Sequence, residues 1–263
     1  MTDALPPVIS EAQLVAGLLV LLRVSSLVML LPVLGHQLVP PQVKIGIIVM
    51  LSILVYPVVQ SSLPAVPAVP LALALIAGQE ILIGAMLALL AQLIFGAVQL
   101  AGQIMSYQMG MAIANVFDPS TNAQVAIVGQ IAVVLGMLMW LAAGAHHAMI
   151  LSLSDSFTLF PIGHAWSLQG WQSLSDAAAN MFIIAIRLSA PIMLLMLLAY
   201  VALGLLSRAV PQIQIFFVSF PLTISLGLLA FALSLPAFMS LLHDGFSGFA
   251  LQIPMFLHRL SGA

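Results

Sequence analysis

Long apolar runs separated by short clusters of proline, glycine and polar residues make up almost the whole chain. Six runs stand out, at approximately residues 12–34, 45–59, 71–100, 125–151, 177–206 and 213–242. A helix needs about 20 apolar residues to cross a hydrocarbon core about 30 Å thick, because it rises about 1.5 Å per residue. The pattern therefore predicts an all-α integral membrane protein of about six long helices or helical hairpins. The second run is short, and is expected either to cross with polar flanks reaching the headgroups or to be buried in protein. Pro32, Gly35, Pro40 and Pro41 follow the first run and Pro57 closes the second, as helix breakers do. Residues 63–70, LPAVPAVP, carry proline at every third position and suit a stiff polyproline II connector. Residues 152–175 form the most polar stretch, with Asp155, His164, Trp166 and Trp171, and tryptophans favour a membrane interface.

Composition sharpens this picture. Of 263 residues, 63% are hydrophobic and only 5% charged, with a mean hydropathy of +1.25, far from the balance of soluble domains. A single membrane domain, residues 1–263, with no soluble appendage is expected. Cysteine is absent, which removes disulfides, thiolate metal sites and cysteine nucleophiles. The net charge is -2 with no basic run, so no nucleic-acid partner is expected. Arg23 inside the first run and the lack of a basic cluster ahead of it argue against a cleaved signal peptide. An even number of crossings places Lys44 and Arg208 on one side and Arg259 on the other, and the positive-inside rule then puts both ends outside.

Arg23, Glu80 and Arg187 fall within apolar runs, where a charge costs about 2.5 to 3.5 kcal/mol at a helix centre on insertion scales. Each needs a partner or water. The residues admit a proton or ion pathway, or a static pair holding helices together, with Glu80 the natural partner of either arginine. On the third run Glu80, Gly84, Ala88, Gln92 and Gly96 recur every four residues, and Gln99 and Gln103 continue the row. This spacing lines one helix face. Small residues permit close approach and amides require partners in a dry setting, so the face is expected to meet protein or a water-filled pore. A tilted helix with emergent ends would also accommodate it.

Residues 101–124, AGQIMSYQMGMAIANVFDPSTNAQ, read as neither a clean crossing nor a clean loop. Met105, Met109 and Met111 bring flexible thioethers, and Ile113, Val116 and Phe117 lead to a turn at Asp118 and Pro119. Irregular backbone at membrane depth survives only where it is buried in protein or lines a cavity. The segment is expected inside a pore, or else as an interfacial hairpin whose methionines are ordinary packing. No catalytic constellation, nucleotide loop or cofactor fingerprint is present, and no enzyme activity, cofactor or metal is expected. The adjacent His146 and His147 point about 100° apart on a helix, poorly placed to share a metal.

Several of these stretches together resemble the FliR family of flagellar export-gate subunits, paralleled in virulence type III secretion. They are 78–84 (GQEILIG), 101–119 (AGQIMSYQMGMAIANVFDP), 203–216 (LGLLSRAVPQIQIF) with Phe220, Pro221 and Leu222, and Arg23 with Pro32, Val33, Leu34, Pro40 and Lys44. The resemblance spans nearly the whole chain. It implies a channel-forming subunit of the bacterial inner membrane, one copy joined to several copies of two smaller membrane proteins, FliP-like and FliQ-like, in the flagellar basal body. Unfolded flagellar proteins are the implied cargo, and the assembled complex is implied to rise out of the membrane plane. It further implies that residues 105–122 act as a pore plug. On that reading Met105, Met109, Met111, Ile113, Val116 and Phe117 form a deformable dewetted seal. Gly102 and Gly110 would let the segment bend, and Asp118 and Pro119 would set its turn.

Two other classes fit parts of the sequence. A proton-coupled small-solute transporter would use Glu80 and the intrahelical arginines for coupling, but a repeat between the two halves is barely visible. A structural membrane anchor would explain the polar rows but not the apolar irregular segment. Co-purification with partner subunits separates these readings.

Overall fold

The computed structural model describes residues 10–35, 39–60, 69–111, 127–163, 169–210 and 215–261. Among them are seven α-helices and no strand: α1 (Glu11–Leu30), α2 (Pro41–Gln60), α3 (Pro70–Gln108), α4 (Ile127–Ala142), α5 (Ala145–Leu159), α6 (Gln169–Ala209) and α7 (Ile215–Ser261). Five are long and apolar enough to cross a membrane, and α4 with α5 makes a sixth if that bent pair counts as one crossing. The protein is an all-α, multi-pass membrane protein.

Helix boundaries depart from the hydropathy pattern in instructive places. The second run is no marginal crossing, because Pro41 starts α2 instead of preceding it and Pro57 lies inside the helix. Proline suits a first helical position, where its missing N–H would be unpaired anyway. Pro70 opens α3 in the same way. The fourth run breaks in two: α4 and α5 meet at 64°, and Gly144 between them has φ 68°, a left-handed conformation that glycine adopts freely. The polar stretch is largely helical, since α5 continues to Leu159 and α6 begins at Gln169. The last run extends far past 242, with α7 ending at Ser261. The connector at 63–70 lies mostly outside the described residues.

The chain divides into two compact units, residues 1–92, 146–176 and 249–263, and residues 93–145 and 177–248. In the first, α1 starts with a capping box: Gln13 N–H donates to the Ser10 hydroxyl oxygen at 3.3 Å, and Ser10 N–H donates to Gln13 Oε1 at 3.0 Å. Its buried face, Ala16, Val20, Arg23, Val24, Leu27 and Val28, follows the helical repeat. One charge therefore sits in the middle of an apolar core.

In the second unit, small residues bring α3 and α4 together. A Cβ built on Gly102 would collide with the Gly129 backbone, and one on Gly136 would touch Val98 and Phe95 at 3.5 and 3.7 Å. Phe95, Trp140 and Phe246 close an aromatic cluster, with ring centroids 5.4 to 5.7 Å apart.

Candidate functional site

Arg23 is fully buried and its guanidinium is surrounded by acceptors. Nε donates to Glu80 Oε2 at 2.6 Å. One terminal nitrogen donates to the Ser156 carbonyl at 2.9 Å and to its hydroxyl at 3.1 Å, and the other donates to the Phe160 carbonyl at 3.0 Å. The Phe157 ring lies 4.0 Å away, a cation–π contact. One side chain on α1 thus ties down α3 and the C-terminal end of α5, where the Ser156 carbonyl also accepts from the Phe160 N–H at 2.9 Å. Glu80 is equally buried, and its other oxygen, Oε1, has no hydrogen-bond partner among the described residues. The brace is lopsided: the arginine is well satisfied and the carboxylate leans on it alone.

The row of small and amide residues on α3 continues this contact. Gly84 lies so close to α1 that a Cβ there would meet the Arg23 carbonyl and the Ser26 hydroxyl. Ala88 is fully buried, and Gln92 Nε2 donates to the Leu30 carbonyl at 2.6 Å. Further along, Gly96 faces Met181 of α6, whose Sδ would lie 3.1 Å from an added Cβ. Gln99 and Gln103 are exposed. Arg187 is also exposed on α6 and forms no ion pair among the described residues. Glu80 is therefore paired with Arg23 and not with Arg187.

The Met-rich segment begins as helix. α3 runs on to Gln108, so Gly102, Gln103 and Met105 are helical instead of belonging to an irregular loop. Gly102 lies against the Gly129 backbone of α4. Met105 and Met109 are fully buried and Met111 nearly so. Gly110 has φ 78° and closes the helix in the left-handed conformation, its N–H donating to the Tyr107 carbonyl at 3.0 Å. Ile113, Val116, Phe117, Asp118 and Pro119 lie outside the described residues.

Residues with no sequence signal complete both places. Ser156, Phe157 and Phe160 act on Arg23 through backbone, hydroxyl and ring, and none belongs to a recognisable motif. Tyr200 and Thr223 reach the carbonyls at the end of α3 from α6 and α7. The His146 and His147 rings stack at 3.9 Å on the first turn of α5, closer than a mid-helix pair would lie. Among the described residues no three metal-ligating side chains converge.

Relatives can be set against this geometry. Residues 14–249 match the bacterial export proteins, family 1. The chain is 32% identical over 236 residues to the flagellar biosynthetic protein FliR of Bacillus subtilis strain 168, covering 88% of this chain and 90% of that protein. To FliR of Escherichia coli K12 it is 35% identical over 219 residues, 82% of each chain. To FliR of Caulobacter vibrioides it is 30% identical over 224 residues, 85% of this chain and 89% of the other. With matches of this extent, the chain belongs to family 1 of the bacterial export proteins, alongside the flagellar biosynthetic proteins FliR.

Proposed function

We propose that this protein is a flagellar export component, a channel-forming subunit of the type III export gate in the bacterial inner membrane at the flagellar basal body. It works as a hetero-oligomer with FliP-like and FliQ-like subunits and passes unfolded flagellar proteins. Its role is structural and not enzymatic.

One observation carries this reading. The apolar residues exposed along α6 run from Phe182, 55% exposed, to Leu205, 64% exposed, and exposed Arg187 lies among them. At about 1.5 Å per residue that is about 35 Å of helix, close to a hydrocarbon core of about 30 Å. A charge in such a face is costly against lipid, so protein or a water-filled cavity is expected to cover it. Gln99 and Gln103, exposed on α3, pose the same problem. A solitary carrier has no use for such a surface, whereas a subunit of a larger assembly requires one.

The Arg23–Glu80 pair favours assembly over transport for a second reason. Its guanidinium is satisfied by Glu80, by the Ser156 carbonyl and hydroxyl and by the Phe160 carbonyl, as a static brace requires. It acts as a fixed strut. The seal of the gate is the segment from Met105 to Phe117, apolar and rich in methionine, which yields to an extended polypeptide and otherwise excludes water and ions. Gly110 and the turn at Asp118 and Pro119 shape it.

The test is extraction at native expression, with the particle's mass and composition measured. A stable complex with two smaller hydrophobic proteins is expected. A lone monomer or homodimer refutes assembly. In the intact complex, replacing Met109, Met111, Ile113, Val116 and Phe117 by glycine is expected to raise resting ion conductance; unchanged conductance and unchanged export would remove the plug.

A further inference from the structure

α6 turns one unbroken line of side chains outward. From Ile183, steps of four and three residues pass through Arg187, Pro191, Leu194 and Leu198 to Val201, and every one of these is exposed. At about 100° per residue they all fall within about 40° of the Arg187 direction, so they form a straight row along the helix. The opposite side, Ala185, Leu188, Ile192 and Met196, is buried. Arg187 interrupts the apolar row twice. Its guanidinium forms no ion pair among the described residues. Its carbonyl lacks the usual helical donor as well, because Pro191, four residues on, has no N–H to give. A charge and an acceptor without its helical donor thus occur at one level of an apolar face.

Lipid tails answer neither group, and a charge against them is costly. Water would answer both but would leave Ile183, Leu194, Leu198 and Val201 wetted. A helix that is apolar along its length and polar at one level satisfies the whole row. A carboxylate takes the guanidinium, a hydroxyl or amide N–H beside it reaches the carbonyl, and aliphatic side chains cover the remainder. We propose that this row is a docking surface for an apolar helix of a partner subunit, keyed by a carboxylate opposite Arg187 with a hydrogen-bond donor next to it. The inference deepens the assembly reading above and rests on it. The charge pair gives the contact a register, since sliding the helices by one turn strands both charges. Arg187 thereby sets which helix is accepted and at what height, while the apolar residues supply area.

The experiment uses the assembled complex. Arg187→Lys keeps the charge and offers an amine, and Lys44 is the only lysine of the parent chain. A membrane-permeant carbodiimide activates a carboxyl group touching that amine, an amide bond forms as the urea leaves, and mass spectrometry of the joined peptides identifies the partner. A link from position 187 to an acidic residue in an apolar segment of a different protein is expected. A link to a second copy of this chain, or no link, the result if lipid or water meets this face, overturns the proposal. Arg187→Leu strands the carboxylate of the partner and is expected to shorten the lifetime of the diluted complex by about 30-fold or more. Arg187→Glu combined with arginine at the linked position is expected to outlast Arg187→Glu alone by at least about tenfold, a rescue that a misfolded chain would not show. Pro191→Ala returns an N–H to the Arg187 carbonyl and is expected to shorten the lifetime by about two- to tenfold; an unchanged lifetime overturns the part given to the carbonyl. A parent complex of full composition with neither link nor shortened lifetime in the variants overturns the docking role and leaves assembly standing. A parent chain that enters no complex overturns both.

Discussion

Replacing Arg23 by methionine tests the most costly interaction in the fold. Methionine keeps an unbranched chain of similar reach but removes four hydrogen bonds, and it leaves the Glu80 carboxylate, which is fully buried, without its counter-charge. Removing one partner of a buried pair costs about 3 to 5 kcal/mol, because the survivor is an uncompensated charge. Replacing Glu80 by leucine in the same chain removes that charge. What remains is the loss of the Arg23 bonds to Ser156 and to the Phe160 carbonyl, worth about 1 to 3 kcal/mol, while the Ser156 carbonyl keeps the Phe160 N–H at 2.9 Å.

The absence of cysteine makes this measurable. A single cysteine at Val20, fully buried one turn before Arg23 on the same face, reports local opening through its rate of thiol labelling. When closing outpaces labelling, the rate follows the opening equilibrium. Arg23→Met is expected to speed labelling by about 100- to 4,000-fold, and Arg23→Met with Glu80→Leu to recover at least about tenfold of that. Labelling of the single variant within about threefold of the parent, or a double variant no slower than the single, would refute the strut, because either result means the charges are solvated or paired elsewhere.

Three further substitutions probe the helix contacts. Gly84→Leu forces a side chain into the Arg23 carbonyl and the Ser26 hydroxyl, and is expected to cost about 1 to 3 kcal/mol in the same labelling assay. Gly102→Val drives α3 from the Gly129 backbone and is expected to lower the thermal midpoint, followed through the buried Trp140 indole; an unchanged midpoint would show that the helices separate freely there. Ser10→Ala removes one half of the capping box and is expected to cost about 1 kcal/mol, seen as roughly fivefold faster hydrogen exchange at the Gln13 amide.

Helix existence was legible from the chain because hydropathy reports burial in lipid or protein directly. Boundaries were not, for reasons that differ from place to place. Gly102 reads as a point where the segment bends, yet it lies inside α3 against the Gly129 backbone, and the Ser106 hydroxyl donates back to its carbonyl at 2.8 Å within the helix. Conversely, the apolar run across Gly144 hid a 64° break, because a single left-handed residue carries no hydropathy signal. The four-residue spacing of Glu80, Gly84, Ala88 and Gln92 identified a face, and α1 supplies partners for its polar members. It could not identify what Arg23 binds on α5, since two backbone carbonyls have no sequence signature. Ile113, Val116, Phe117, Asp118 and Pro119 lie outside the described residues, and the role proposed for them rests on the family resemblance.

The two ends of α3 are secured by different chemistry, and the difference predicts which end yields first. Three turns from its start, the fully buried Glu80 bonds to a guanidinium, and charge-assisted bonds are about twice as strong as neutral ones and strand a charge when broken. At its finish, Gln108 and Met109 are held by two neutral hydroxyls, one of them shared with a carbonyl of its own helix. Exchanging a neutral hydroxyl bond for one to water or to a passing peptide carries a net cost of only about 0.5 to 1.5 kcal/mol. Amide hydrogen exchange in the assembled complex is the direct reading: Met109, whose N–H bonds to the Met105 carbonyl at 3.0 Å, is expected to exchange faster than the amides from Glu80 to Gly84. Equal protection along the helix would mean that the last turn is as rigid as the braced stretch, and the difference in bond chemistry would then not set local stability.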